Sequence, residues 1–163
     1  MGKKVLITGA GSGFGKATAI ALAARGHTVI ATTETEDQAS ALRADAPQLQ
    51  VEKLDITSSS DVAGATKFDV DVLINNAGAG QTGPMADVPM ARVRHLFEVN
   101  VFGTLAVTQA LLPKMAARGS GRVIAFNPLD RRMNIEAPVQ GRVKHLFVVE
   151  NQVVREGEPL VEL

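Results

Sequence analysis

The chain is 163 residues long and 45% hydrophobic, and 17 Lys and Arg against 17 Asp and Glu leave no formal net charge. The balance holds regionally, 12 basic against 11 acidic up to Phe126 and 5 against 6 after it, which gives no compositional support to nucleic-acid or membrane binding. Cysteine, tyrosine and tryptophan are absent, which excludes disulfides, thiol nucleophiles, Cys-based metal sites and any chemistry that needs a phenol.

The length suits one domain, burying roughly 70% of its unfolded surface. Met1-Gly2-Lys3-Lys4 leads into an apolar run that stops at Thr8-Gly9. That run is too short for a signal core or a membrane span, so a soluble cytoplasmic protein is the default expectation.

Val5-Leu6-Ile7 reads as a short buried strand followed by a glycine-rich turn, Thr8 to Gly15. The next helix is expected to carry Ala17, Ile20, Ala21 and Ala24 on one face and to stop at Arg25-Gly26, a cation near the last turn and then a capping glycine. Val29 to Ala31 is a second strand, Glu36 to Ala44 a short helix, and Val51 to Leu54 a third strand ending at Asp55. Thr57 to Ser60 can cap a small helix, and Val70 to Ile74 is a fourth strand. A long helix is expected over residues 89–118, with Val93, Leu96, Phe97, Asn100, Thr104, Val107 and Leu111 at 3.6-residue spacing. Arg122 to Phe126 is a fifth strand. Short links between alternating strands and helices predict α/β architecture with a parallel, doubly wound sheet.

After Phe126 the pattern changes. Residues 127–134 are polar and linker-like, with Asp130-Arg131-Arg132 a solvated turn, and residues 135–163 read as short strands with turns at Asn151-Gln152 and Glu156-Gly157. The expected organisation is a truncated Rossmann half over 1–126, a linker over 127–134 and an all-β tail over 135–163.

The turn "TGAGSGFG" places Gly9, Gly11, Gly13 and Gly15 between a strand and a helix. Glycine permits positive φ in a tight turn and lets backbone approach a pyrophosphate, while the helix offers free N–H groups and the positive end of its dipole. Thr33 and Glu34, at the end of the second strand, are the candidates for the adenosine ribose. Glu34 can accept from ribose hydroxyls and would repel a 2′-phosphate, and no arginine stands nearby. This leans slightly to NAD over NADP and leaves the choice open.

Thr8-Gly9-x-x-x-Gly13-x-Gly15, Asp55 in "LDIT", Asn75-Asn76-Ala77-Gly78 after the fourth strand and Asn100 in "FEVNVFGT" together resemble the pattern of the short-chain dehydrogenase/reductase family. The resemblance covers residues 1 to about 126. It implies that Gly9, Ser12, Gly13, Phe14 and Gly15 border the pyrophosphate and nearby ribose of a nicotinamide dinucleotide. It further implies that Asp55 and Ile56 flank adenine, that Asn76, Ala77 and Gly78 line the nicotinamide-side ribose, and that Asn100 anchors a proton relay. Asn100 is also unusual in itself, an amide within an apolar stripe, and buried amides need partners.

In that family a tyrosine supplies the proton, a lysine four residues later lowers its pKa, and a serine after the fifth strand polarises the carbonyl. A phenol of pKa near 10 needs such a cation at neutral pH. Here the fifth strand meets Asn127-Pro128, and the chain contains no tyrosine. Asn100 is then the remnant of the catalytic set. His95, Lys144 and His145 are the other titratable candidates, each more simply read as a surface side chain. The expectation is a dinucleotide-binding module with impaired catalysis. The alternatives are a chimeric folding or interaction protein with a vestigial cleft, and an oxidoreductase with another proton donor.

In the tail, Gly141, Val143, Val148, Asn151, Val154, Gly157 and Leu160 resemble half of a biotinyl/lipoyl-type hammerhead, closest to the hairpins of membrane-fusion adaptor proteins. No biotin or lipoate attachment is implied. Half a hammerhead cannot close its own core, so its strands are expected to pair with the Rossmann sheet edge or with a second chain.

Overall fold

A computed structural model describes residues 2–82 and 84–125, and the backbone of 145–146 and 161–162. The first compact unit, Met1–Asp130, carries five parallel strands: β1 Lys4–Ile7, β2 Thr28–Thr33, β3 Gln50–Lys53, β4 Val72–Asn75 and β5 Arg122–Ala125. Their order is β3-β2-β1-β4-β5. Helices α1 Gly13–Ala24, α2 Glu36–Asp45 and α3 Ser59–Ala65 connect the first four strands. Between β4 and β5 run α4 Met90–Phe97, a π-helical segment Glu98–Gly103 and α5 Thr104–Ala117.

The central strands read as continuous apolar runs because both faces of the sheet are covered. Val5, Ile7, Val29, Ala31 and Ile74 point to one face, where they meet Ala19 of α1 and Ala39 and Leu42 of α2. Leu6, Ile30 and Leu73 point to the other and meet Ala65 of α3 and Val107, Leu111 and Met115 of α5. The two-residue alternation along each strand thus divides one run of hydrophobic residues between two cores. Chain order reverses between β1 and β4, which are hydrogen-bonded neighbours, and such a switch point opens a crevice at the carboxyl ends of the strands.

On α1, Ala17, Ala21 and Ala24 share one face, and it is the exposed one; the buried positions are Gly15 and Ala19. The sequence GFGKATAIALAA is apolar nearly all round, so its periodicity does not fix the rotation. The glycine turn does: a Cβ on Gly15 would lie 2.3 Å from Asn76 Nδ2 and 2.7 Å from the Gly9 carbonyl oxygen. On the long helix, Val107 and Leu111 are buried as expected, but Phe97 is 54% exposed. The π-helical segment between them inserts an extra residue into the turn and breaks the 3.6-residue phase.

β5 pairs with β4, and its Val123 and Ile124 are 39% and 37% exposed. The second compact unit, Arg131–Leu163, contributes two described strands, β6 His145–Leu146 and β7 Val161–Glu162, which pair antiparallel. The linker at 127–134, Lys144 and the remainder of the half-hammerhead lie outside the described residues.

Candidate functional site

A cleft of about 370 Å³ opens at the carboxyl ends of β1, β2, β3 and β4. Its walls come from four loops that are distant in sequence. Gly9, Gly11 and Ser12 come from the first turn, Glu34 and Gln38 from the end of β2 and the start of α2. Leu54, Asp55, Ile56 and Thr57 follow β3, Asn76 to Ala79 follow β4, and His95 and Val99 reach in from the long helix.

The first turn is held against the loop after β4. Thr8 is buried, and its Oγ1 accepts from the N–H groups of Asn76 and Ala77 at 3.1 and 3.0 Å. In return Asn76 Nδ2 donates to the carbonyls of Thr8 and Gly9, both at 3.0 Å. Gly9 has φ +65°, and a Cβ there would stand 2.7 Å from Ala77 Cα. At Gly9 the turn passes too close to the loop after β4 for a side chain. It brings its backbone to the start of α1, where the N-cap Ser12 makes no side-chain cap bond. The first-turn N–H groups of this twelve-residue helix are therefore not capped by the Ser12 side chain, and uncapped N–H groups at a helix start suit an anion.

The other walls are fixed as firmly. Lys53 Nζ and the Asp55 N–H both donate to Asp61 Oδ2, at 2.5 and 2.9 Å. Asp55 Oδ1 accepts from both the N–H and the hydroxyl of Thr57, at 2.8 and 2.7 Å. The hydrogen bond from Lys53 holds the Asp61 carboxyl below its ordinary value. Ala79 is held from behind by Asn100, whose Oδ1 accepts from its N–H and whose Nδ2 donates to its carbonyl. Arg92 Nε donates to Gln81 Oε1 at 3.0 Å and ties the next part of that loop to α4.

The expected site residues fall into two groups. Gly9, Ser12, Glu34, Asp55, Ile56, Asn76, Ala77 and Gly78 line the cleft. Gly13, Phe14, Gly15, Thr33 and Asn100 do not. Gly13 takes φ +54° at the mouth of α1, Phe14 is 70% exposed, and Gly15 is packed against Asn76. Thr33 is fully buried and donates its hydroxyl to the Thr35 carbonyl. Gln38, Thr57 and Val99 line the cleft without having been singled out for it, and His95, more simply read as a surface side chain, lines it too. For His95 the signal was its position five residues before Asn100; for Gln38 it was the Thr35-x-x-Gln38 spacing of a capping box.

The residues present fit a dinucleotide. Glycine backbone and a free helix start suit a pyrophosphate, a carboxylate at the end of β2 suits ribose hydroxyls, and Ile56 and Val99 offer apolar walls to a base. Neither Lys nor Arg is among the described residues lining the cleft.

The short chain dehydrogenase family model matches residues 3–130. The chain is 31% identical over 170 aligned residues to the 7alpha-hydroxysteroid dehydrogenase of Escherichia coli K12, covering 96% of this chain and 66% of that protein. Among solved structures, a short-chain dehydrogenase from Streptomyces avermitilis superposes with a TM-score of 0.69 at 39% identity, covering 77% of this chain and 49% of that one. A 7alpha-hydroxysteroid dehydrogenase complexed with NADH and 7-oxo glycochenodeoxycholic acid does so with a TM-score of 0.68 at 34% identity, covering 77% and 53%. The chain spans about a third to two thirds of the length of the curated relatives it matches.

Proposed function

This chain belongs to the short-chain dehydrogenase family, and from that membership we propose that its 163 residues form a nicotinamide-dinucleotide-binding module with impaired redox catalysis. The observation that carries the binding reading is the cleft itself, where Thr8 and Asn76 fasten a glycine-rich turn beside the start of α1. Bound there, the cofactor would supply or accept hydride. The chain's own part is to bind the pyrophosphate through backbone at Gly9 to Ser12, to place the base against Ile56, and to hold the nicotinamide-side ribose against Asn76 to Gly78.

NAD is the preferred form in this reading. Glu34 lines the cleft, with neither Lys nor Arg beside it among the described lining residues. A 2′-phosphate would bring about two negative charges to that carboxylate. Impaired catalysis rests on the sequence: with no tyrosine, the family's phenolic proton donor has no counterpart.

The protein lacks tryptophan and tyrosine, so nicotinamide fluorescence can be titrated over little protein background. Saturable binding with NADH tighter than NADPH is expected, together with a rise in Tm; ligand at a hundredfold over Kd adds about 2.7 kcal/mol. No saturation and no Tm shift at millimolar NADH would leave only a folding or interaction protein with a vestigial cleft. A second reading, an active oxidoreductase, is favoured by one observation: His95 brings a titratable imidazole to the cleft wall. Turnover of a generic aldehyde and ketone panel that disappears in His95→Ala would establish it over the first.

The half-hammerhead reading of residues 135–163, and with it a chimeric origin and association through the sheet edge or the tail, is part of the same proposal. Deleting residues 133–163 tests it: an unchanged Tm and oligomeric state would sink it.

A further inference from the structure

We infer that Gln38 is a two-ended residue of the cleft, one end fixing the loop after β2 and the other donating to the adenosine ribose. The inference rests on the dinucleotide reading above and concerns a residue outside the glycine turn and the end of β2.

The first end is the amide oxygen. Gln38 stands at the third position of α2 and closes a reciprocal capping box: its N–H donates to Thr35 Oγ1 at 3.3 Å, and its Oε1 accepts from the Thr35 N–H at 3.4 Å. The same Oε1 accepts from the Glu34 N–H at 3.1 Å. Two successive backbone N–H groups therefore converge on one oxygen, and the backbone carrying the Glu34 carboxylate is set by the Gln38 side chain.

The second end is the amide nitrogen. An amide whose oxygen is anchored presents its NH₂ at a fixed place, and Nε2 donates to none of the described residues. Gln38 lines the cleft beside Gly11 and Glu34; a Cβ on Gly11 would lie 3.7 Å from both Gln38 Cβ and Oε1. Gly11 and the Gln38 amide are thus immediate neighbours on the wall. An N–H donor and a carboxylate acceptor side by side match a ribose diol, whose two hydroxyls can accept from one and donate to the other. The pair gives a 2′-phosphate no cation.

Gln38→Glu separates the two ends. A carboxylate at this helix position still accepts from the Glu34 and Thr35 N–H groups and suits the helix dipole, but it has no NH₂. The expected result is an unchanged or slightly raised Tm with NADH and ADP-ribose each bound about tenfold more weakly, the loss of one hydrogen bond. The loss persists in 0.5 M NaCl, where a merely long-range charge effect is screened. Thr35→Ala breaks the capping box from its other side while keeping the amide. It is expected to lower Tm without the tenfold loss. Equal affinities for wild type and Gln38→Glu, a loss abolished by salt, or the same loss in Thr35→Ala would each overturn the role of Gln38 and leave dinucleotide binding standing. A wild-type chain that binds neither NADH nor ADP-ribose would overturn both.

Discussion

Asn100 and Ala79 are joined by two opposed hydrogen bonds: the amide oxygen of Asn100 accepts from the Ala79 N–H at 3.0 Å, and its amide nitrogen donates to the Ala79 carbonyl at 2.8 Å. One side chain from the π-helical segment thereby pairs both backbone groups of Ala79 in the loop that forms the cleft floor. π-helical turns concentrate at functional positions because they aim a side chain that a regular helix would turn away. Here the aimed group is an amide 21 residues from its partner.

Asn100→Ala leaves both backbone groups of Ala79 without that partner. A loss of about 1–2 kcal/mol in unfolding free energy is expected from the two unmade bonds, with weaker NADH binding as the floor loosens. Thermal melts and the cofactor titration check both. Asn100→Asp retains the acceptor alone and is expected to fall between.

The glycines of the first turn are unequal. Gly9 combines φ +65° with a Cβ position 2.7 Å from Ala77 Cα, whereas Gly13, at φ +54°, has open space around its Cβ. Gly13→Ala is expected to cost about 1 kcal/mol, the left-handed backbone term alone. Gly9→Ala adds a backbone clash and is expected to cost about 3 kcal/mol. Denaturant midpoints of the two variants give the comparison; equal costs would contradict it.

The cofactor preference turns on Glu34. Glu34→Arg replaces a carboxylate on the cleft wall with a guanidinium that pairs with phosphate. The expected outcome is a shift of the NADPH-to-NADH affinity ratio of about tenfold or more toward NADPH. Fluorescence titration of both reduced cofactors measures it, and a ratio that does not move would remove Glu34 from the ribose site.

Acid sensitivity has a named contributor. Asp61 has its carboxyl held below the ordinary value, first by the hydrogen bond from Lys53 and also by the Asp55 N–H. A carboxyl depressed on folding binds fewer protons in the folded than in the unfolded chain. Its contribution is present above about pH 4 and is lost as pH falls through the lower folded value. Asp61→Asn is therefore expected to be less stable at pH 7, and to lose less Tm than wild type between pH 5 and pH 3. Parallel Tm profiles for the two proteins would refute this.

The five strands and the first turn were legible in the sequence alone. Val5-Leu6-Ile7, Val29-Ile30-Ala31 and Leu73-Ile74 are apolar runs that only a doubly covered strand can bury, and Thr8 to Gly15 is a turn whose backbone demands are local. Asp55, Asn76 and Asn100 were legible because their spacing follows a family pattern. Tertiary structure alone decided the rest, since it depends on where loops from distant strands meet at the carboxyl edge of the sheet. Ala19 faces the core in place of Ala17 because Gly15 is pressed against Asn76 across 61 positions of sequence, and nothing within α1 records that contact. Phe97 leaves the apolar stripe because a π-helical segment follows it, and Thr33 turns into the protein while Gln38 turns toward the cleft. Helical periodicity specifies which residues share a face; it takes the packing of the other elements to specify which way that face looks.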